Sequence, residues 1–147
     1  MIAAQQSALE ALAGRLMTAA EIDLAATRAD GALAASLSVG RTKQGRVVTP
    51  VLAAWLSATG LRATIEDLSK NITSPQRPGA LTLLDLLSWP DLGLDLSPSA
   101  LGQGNLAMLA VWVTAGIVTQ AQSNVLISLA ATAAPIDCNT VSNILGG

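Results

Sequence analysis

Histidine, phenylalanine and tyrosine are missing from the 147-residue chain, and cysteine occurs once, at Cys138. Each absence removes a class of chemistry. Without imidazole the commonest general base and metal ligand is gone, so neither a serine triad of the usual kind nor a histidine-bearing zinc set can be assembled. A lone thiol closes no internal disulfide, which fits a reducing compartment or a chain that does not use disulfides. Cys138 stands near the start of the last expected helix. With no imidazole to activate it, it reads as a small structural hydrophobe.

Charge is scarce too: 12% of residues are Asp, Glu, Lys or Arg, and the net charge is −2. A surface so poor in charge, against a design target of roughly 25–35%, tolerates association. All eight basic residues lie at or before Arg77, and from Pro78 onward the only charges are Asp85, Asp91, Asp95 and Asp137. Residues 96–136 carry no charge at all. The strongly apolar run within them, Leu106–Val118, is still short of the roughly 20 residues a spanning helix needs. Gln103 and Asn105 precede it and Gln120, Gln122, Ser123 and Asn124 follow it, so a buried soluble helix is favoured over a transmembrane hairpin. The N-terminus lacks a basic n-region and reads as an amphipathic helix, not a signal peptide.

What is abundant is small and aliphatic. Apolar residues make up 51% of the chain, yet only Trp55, Trp89 and Trp112 are aromatic. Alanine favours helix and lets helices approach closely. A core without large aromatics is thin, because these carry the most buried area per residue. Such a domain gains from a neighbour that completes its burial.

The punctuation predicts an all-α fold of about eight to nine short helices in one compact domain, 1–147, whose first helix, within 1–17, is a candidate for a peripheral position. That helix runs near Ala4–Met17, with Ile2, Leu9, Leu12 and Leu16 roughly on one face. Thr18-Ala19-Ala20-Glu21 is a capping box opening a helix near Ala19–Thr27. Asp30 is the next N-cap candidate, before a short helix over Ala32–Ser38 closed by Gly40. Thr49-Pro50 reads as an N-cap with proline at the first helical position, opening Pro50–Thr59. Leu61–Asn71 is the most amphipathic helix, with Leu61, Ile65, Leu68 and Ile72 inward, and Arg62 and Glu66 spaced to pair. A helix near Gly79–Ser88 stops before Pro90. Residues 90–102 form the one irregular, extended stretch, whose alternating leucines suit a segment laid on the core or a short turn of helix. Helix seven follows near Asn105–Ala115. Thr119-Gln120-Ala121-Gln122 is a second capping box for a helix to about Ala131. Asp137 caps a last helix ending at Leu145. No strand pattern competes.

Helix seven is apolar nearly all round: Leu106, Leu109 and Val113 line one face, while Met108, Val111, Trp112 and Ala115 cover much of the rest. Such a helix is either central to its domain or partly buried by another subunit. Met108, Val111 and Trp112 are therefore candidate partner contacts. The basic loop 41–47 supplies three more, Arg41, Lys43 and Arg46, around a flexible Gly45. A solvated loop or local ion pairing is the plainer reading of these cations; as a contact, the loop suits phosphates or an acidic protein surface. No aromatics interleave with these cations and the whole chain is acidic, so nucleic acid is not the expected partner.

The remaining signals are weak. Glu66 and Asp67 diverge on a helix. Asp85, Asp91 and Asp95 can cluster across the irregular stretch, but capping and loop solvation account for them more simply. Gly102-Gln103-Gly104 is a lone GxG without a preceding strand. Asn71-Ile72-Thr73 matches a glycosylation sequon without any secretory mark. No catalytic, cofactor-binding or metal-binding residue is nominated, and no cofactor is expected.

The stretch ASLSVGRTKQGRVVTPVLAAWLSATGLRATIED, Ala35–Asp67, resembles a pattern found in a family of small, uncharacterised tailed-bacteriophage proteins: an "LSxGRTK…VP" segment, a helix, then a "GLR…IED"-like helix. Leu94-Asp95-Leu96, Asn105–Leu109, Ala115-Gly116, Thr119–Gln122, Leu126–Leu129 and the closing Asp137–Leu145 resemble it as well. The similarity covers most of the chain from about residue 20, as a pattern of helices and caps. The chain departs from it in having few charges near its C-terminus. The resemblance implies a phage origin and a structural part in the particle, and it carries over no catalytic residue. The expectation is a non-enzymatic virion protein of the neck, tail or capsid surface. It would be made in the bacterial host cytoplasm and would contact other virion proteins and copies of itself. The alternatives are a small holin-like lysis protein built on 96–136, or a non-virion assembly factor acting through Arg41, Lys43 and Arg46. Membrane and nucleic acid are not expected partners.

Overall fold

The computed structural model describes residues 1–146. Its helices are α1 (Ala3–Ala13), α2 (Ala19–Ala26), α3 (Asp30–Ser38), α4 (Thr49–Thr59), α5 (Leu61–Lys70), α6 (Arg77–Leu87), α7 (Ala100–Thr114), α8 (Gln120–Leu129) and α9 (Cys138–Ile144). Its strands are β1 (Thr42–Gln44), β2 (Arg46–Val47), β3 (Leu94–Asp95) and β4 (Ala131–Ala133). The fold is mostly helical, with 63% of residues in helices and 7% in strands. Two capping boxes open helices as their motifs dictate. The Thr18 Oγ1 accepts from the Glu21 N–H at 3.3 Å, and the Thr18 N–H donates to Glu21 Oε2 at 2.8 Å. At α8, Thr119 Oγ1 accepts from the Gln122 N–H at 3.1 Å, and the Thr119 N–H donates to Gln122 Oε1 at 3.0 Å.

Where one domain was expected, the chain divides into two compact units, one formed by Met1–Thr42 with the segment from Ala133 onward, the other by Lys43–Thr132. Each has its own core. In the first unit α3 packs on α2 and α9, and α1 packs on α9. The buried side chains are aliphatic: Leu9, Met17, Leu33, Leu37, Ile136 and Val141 lead them. Leu33, Ala34 and Leu37 line one stripe of α3 at helical spacing. In the second unit α4 packs against α5, α6 and α8, α5 against α6, and α7 against β3 and α8. Its core holds both buried tryptophans, Trp55 and Trp112, among Leu52, Leu56, Ile65, Leu83, Leu109 and Leu126.

Several boundaries differ from expectation. Helix α1 stops at Ala13, not Met17, because Gly14 adopts a left-handed conformation at φ 71°. Leu16 is left exposed, and the Met17 N–H reaches back to Glu10 Oε1 at 3.2 Å. Asp30 lies inside the first turn of α3 and caps nothing; its carboxylate holds Arg28 instead, at 3.2 Å. Thr49 is not a cap either. It is buried, and its hydroxyl donates to the Trp89 carbonyl at 2.8 Å, tying α4 to the end of α6. Asp137 occupies its cap position without a side-chain hydrogen bond. Helix α5 ends at Lys70, so Ile72 lies beyond it and is exposed.

The stretch 90–102 is extended only around β3, where Leu94 and Leu96 are fully buried as the leucine alternation implied. Helix α7 begins at Ala100, five residues before Asn105, capped by Ser99 Oγ, which accepts from the Gly102 N–H at 3.1 Å. Gly102-Gln103-Gly104 is therefore part of a helix and no loop at all. Strands were not expected. β2 pairs antiparallel with β3 in the register Arg46↔Asp95 and Val47↔Leu94, and β1 pairs with β4. At two or three residues each they are too short to show a period-two pattern.

Candidate interaction surface

The six residues nominated as partner contacts separate into different environments. On α7, Trp112 is 1% exposed and Leu109 is 2% exposed. Trp112 thus belongs to the core and is not available to a partner, which corrects its nomination. Met108 is half-buried against the same core, while Val111 is 54% exposed. The helix that looked apolar all round does have an inside, and the tryptophan takes it because a large ring gains most from burial. Val111 lies with Ala110, Thr114, Ala115 and Gln76 along a shallow depression of about 370 Å³. Leu101, near the start of α7, is 64% exposed, and α8 exposes Val125 and Leu129.

The basic segment is not the flexible loop expected: strands occupy most of it. The Gly45 N–H donates to the Ala130 carbonyl at 2.8 Å, and the Gly45 carbonyl accepts from the Leu96 N–H at 2.9 Å. Arg41 is half-buried and donates to the Ala134 carbonyl at 3.0 Å, so it serves the first unit structurally. Lys43 and Arg46 are exposed and stand on β1 and β2.

Arg46 lies at the edge of a narrow cleft of about 160 Å³ that sequence reasoning missed. Leu86, Leu92 and Leu101 line it, with Asp95 from β3 and Asn105 from α7. Register explains the placement. Val47 and Leu94 point into the core with no exposure, so their strand neighbours Arg46 and Asp95 point the other way. Two glycines allow the walls to close. A Cβ on Gly93, whose φ is 127°, would strike the Val47 carbonyl oxygen, and one on Gly102 would strike the Ser97 carbonyl oxygen. The Asp95 carboxylate accepts from the Ser97 N–H at 2.8 Å and from Ser99 Oγ at 3.4 Å. Hydrogen bonds from Ser97 hold its pKa below the ordinary aspartate value, with smaller help from Ser99 and Arg46. The Asn105 amide donates to the Asp95 carbonyl at 2.8 Å. In the turn that leads into the cleft, Trp89 is 56% exposed and Asp91 is exposed as well, as is the lining residue Leu92. One signal in the chain pointed there: Trp89 falls between the end of a helix and Pro90, where no helical stripe demands an aromatic.

The most strongly perturbed group lies elsewhere, in the first unit. Glu21 is 1% exposed and accepts from Arg15 at 2.7 and 2.9 Å, from Ser36 Oγ at 2.7 Å and from the Thr18 N–H at 2.8 Å. The Arg15 hydrogen bonds, aided by Thr18 and Ser36 and opposed by burial, hold its carboxyl far below the usual range. Every oxygen lone pair is occupied by a structural donor, so this carboxylate anchors the fold and is not placed to move protons. Asp85, Asp91 and Asp95 do not gather: among the described residues no three of Asp, Glu and Cys converge as a metal set would. Cys138 is exposed at the first turn of α9, which departs from its reading as a packed hydrophobe.

No family model, no curated protein and no solved structure matches the chain.

Proposed function

We propose that the chain is a non-enzymatic structural protein of a bacteriophage particle, at the neck, tail or capsid surface. It acts through contacts with other virion proteins and with copies of itself. The observation that carries this reading is the character of α7 and α8. Both helices lack any charged side chain, and they expose Leu101, Val111, Val125 and Leu129. Apolar side chains on uncharged helices suit burial against a protein neighbour. The phage-like pattern through Ala35–Asp67 and the closing Asp137–Leu145 supports the same reading. No helix among the described residues is long and apolar enough to cross a membrane.

Mass spectrometry of purified particles tests the proposal. The expected result is the chain at a stoichiometry of several copies per particle. Absence from particles, with the protein confined to the lysate of infected cells, overturns the virion reading and leaves an assembly factor.

A further inference from the structure

The cleft beside β2 and β3 carries a cation, Arg46, that faces Asp95 across the ladder but closes no salt bridge with it. Asp95 is engaged by Ser97 and Ser99, and the Asn105 amide by the Asp95 carbonyl. Arg46, by contrast, makes no ion pair among the described residues. Its backbone is fixed by the ladder to Asp95, so the guanidinium is displayed from a rigid support above a slot lined by Leu86, Leu92 and Leu101. A rigid support lowers the ordering cost of a contact.

The turn that forms the rim presents the converse. Its Asp91 is exposed and unpaired among the described residues, and it stands between the exposed Trp89 and Leu92. One part of this surface offers the unpaired Arg46 over a largely apolar slot whose own carboxylate, Asp95, is already held by Ser97 and Ser99, and the other offers an anion beside apolar side chains. That is the condition for an isologous contact, in which residue i of one copy meets j of the other and j meets i.

We propose that this surface is a two-fold self-association site, with Asp91 and Leu92 of each copy seated against Arg46 and the cleft of the other. The inference rests on the reading of the chain as an assembly component, for which it names the partner: a second copy.

Sedimentation equilibrium on the full chain tests it, using the wild type, Arg46→Glu, Asp91→Arg and the double charge swap. Both residues are exposed, so circular dichroism is expected to show the same helix content for all four. The wild type is expected to dimerise. Each single reversal is expected to raise the dissociation constant by about tenfold or more, through like-charge juxtaposition. The double swap is expected to recover most of the loss, the signature of a direct pair. A wild type that stays monomeric overturns the interface, as does a dimer indifferent to both reversals or a swap that recovers nothing. A monomeric wild type that is nevertheless found in particles overturns this inference alone. A charge-swappable dimer absent from particles overturns the virion reading alone.

Discussion

The two units solve the same problem with different materials. The first has no aromatic residue in its core and places a buried glutamate beside its aliphatic cluster, held by Arg15, Thr18 and Ser36. The second buries two tryptophans with a larger set of leucines; Thr49 and Ser123 are its buried polar residues, and Trp55 Nε1 and Gln44 Oε1 are buried without a hydrogen-bond partner among the described residues. A small aliphatic cluster gains little area per residue, so an oriented polar network adds specificity to it. The difference teaches where each unit is vulnerable: the first to loss of charge, the second to loss of volume.

Volume carries the largest expected effect. Trp112→Ala removes a ring that is 1% exposed and leaves a cavity among Leu109, Ala80 and their neighbours. The expected cost is about 3–5 kcal/mol, a large share of the marginal stability of a domain. Hydrogen exchange read by mass spectrometry checks it. Amides of 43–132 are expected to lose protection while those of α1, α2, α3 and α9 keep theirs. Uniform loss across both sets would erase the distinction between the units.

Charge comes next. Glu21→Ala leaves Ser36 and the Thr18 N–H without their acceptor and Arg15 without its counter-ion. Breaking a fully buried pair costs about 3–5 kcal/mol. The Arg15 side chain is 38% exposed and can recover water, which brings the expected loss to about 2–3 kcal/mol. Chemical denaturation, with exchange protection in α2 and α3 as the local readout, measures it.

The same carboxylate sets a pH dependence of known sign. Its folded pKa is depressed, so its contribution is fully present above the unfolded value of about 4.3 and is lost as pH falls through the folded value. Asp30, lowered chiefly by its hydrogen bond to Arg28, acts in the same direction. The first unit is therefore expected to lose exchange protection before the second when pH is lowered from 5 toward the acid limit. Glu21→Gln is expected to flatten that early loss. If the second unit opens first, the electrostatic half of the comparison is wrong.

How far the chain's own pattern reaches depends on the range of the interaction. Capping boxes are complete within four residues, so Thr18–Glu21 and Thr119–Gln122 were readable. Leu94 and Leu96 showed their burial by alternation. The pairing of Arg46 with Asp95 joins segments far apart in sequence and too short to have a period, so the cleft was not readable. Helix α7 failed for another reason. An almost uniformly apolar helix has no polar face to point outward, so nothing distinguished the buried Trp112 from the exposed Val111. The Ser99 cap was hidden by the serines and proline around it, each an equally good turn former.

The smallest expected effect compares like with like. Both capping boxes use a threonine hydroxyl and a side chain three residues on, yet one belongs to each unit. At α8 the box is exposed and neutral, and removing Thr119 Oγ1 frees only the Gln122 N–H, which water can reach. Thr119→Ala is expected to cost about 1 kcal/mol or less. At α2 the Thr18 Oγ1 also donates to Glu21 Oε2 at 3.1 Å, so its loss strips a donor from a buried anion as well as a cap from the helix. Hydrogen bonds to charged groups contribute about 1.5–3 kcal/mol against about 1 for neutral ones. Thr18→Ala is therefore expected to cost more than Thr119→Ala, and Thr18→Ser, which keeps the hydroxyl, is expected to restore most of the difference. Paired urea denaturation of the three variants measures it. Equal losses for the two alanine variants would mean that Arg15, Ser36 and the Thr18 N–H satisfy Glu21 without the Thr18 hydroxyl.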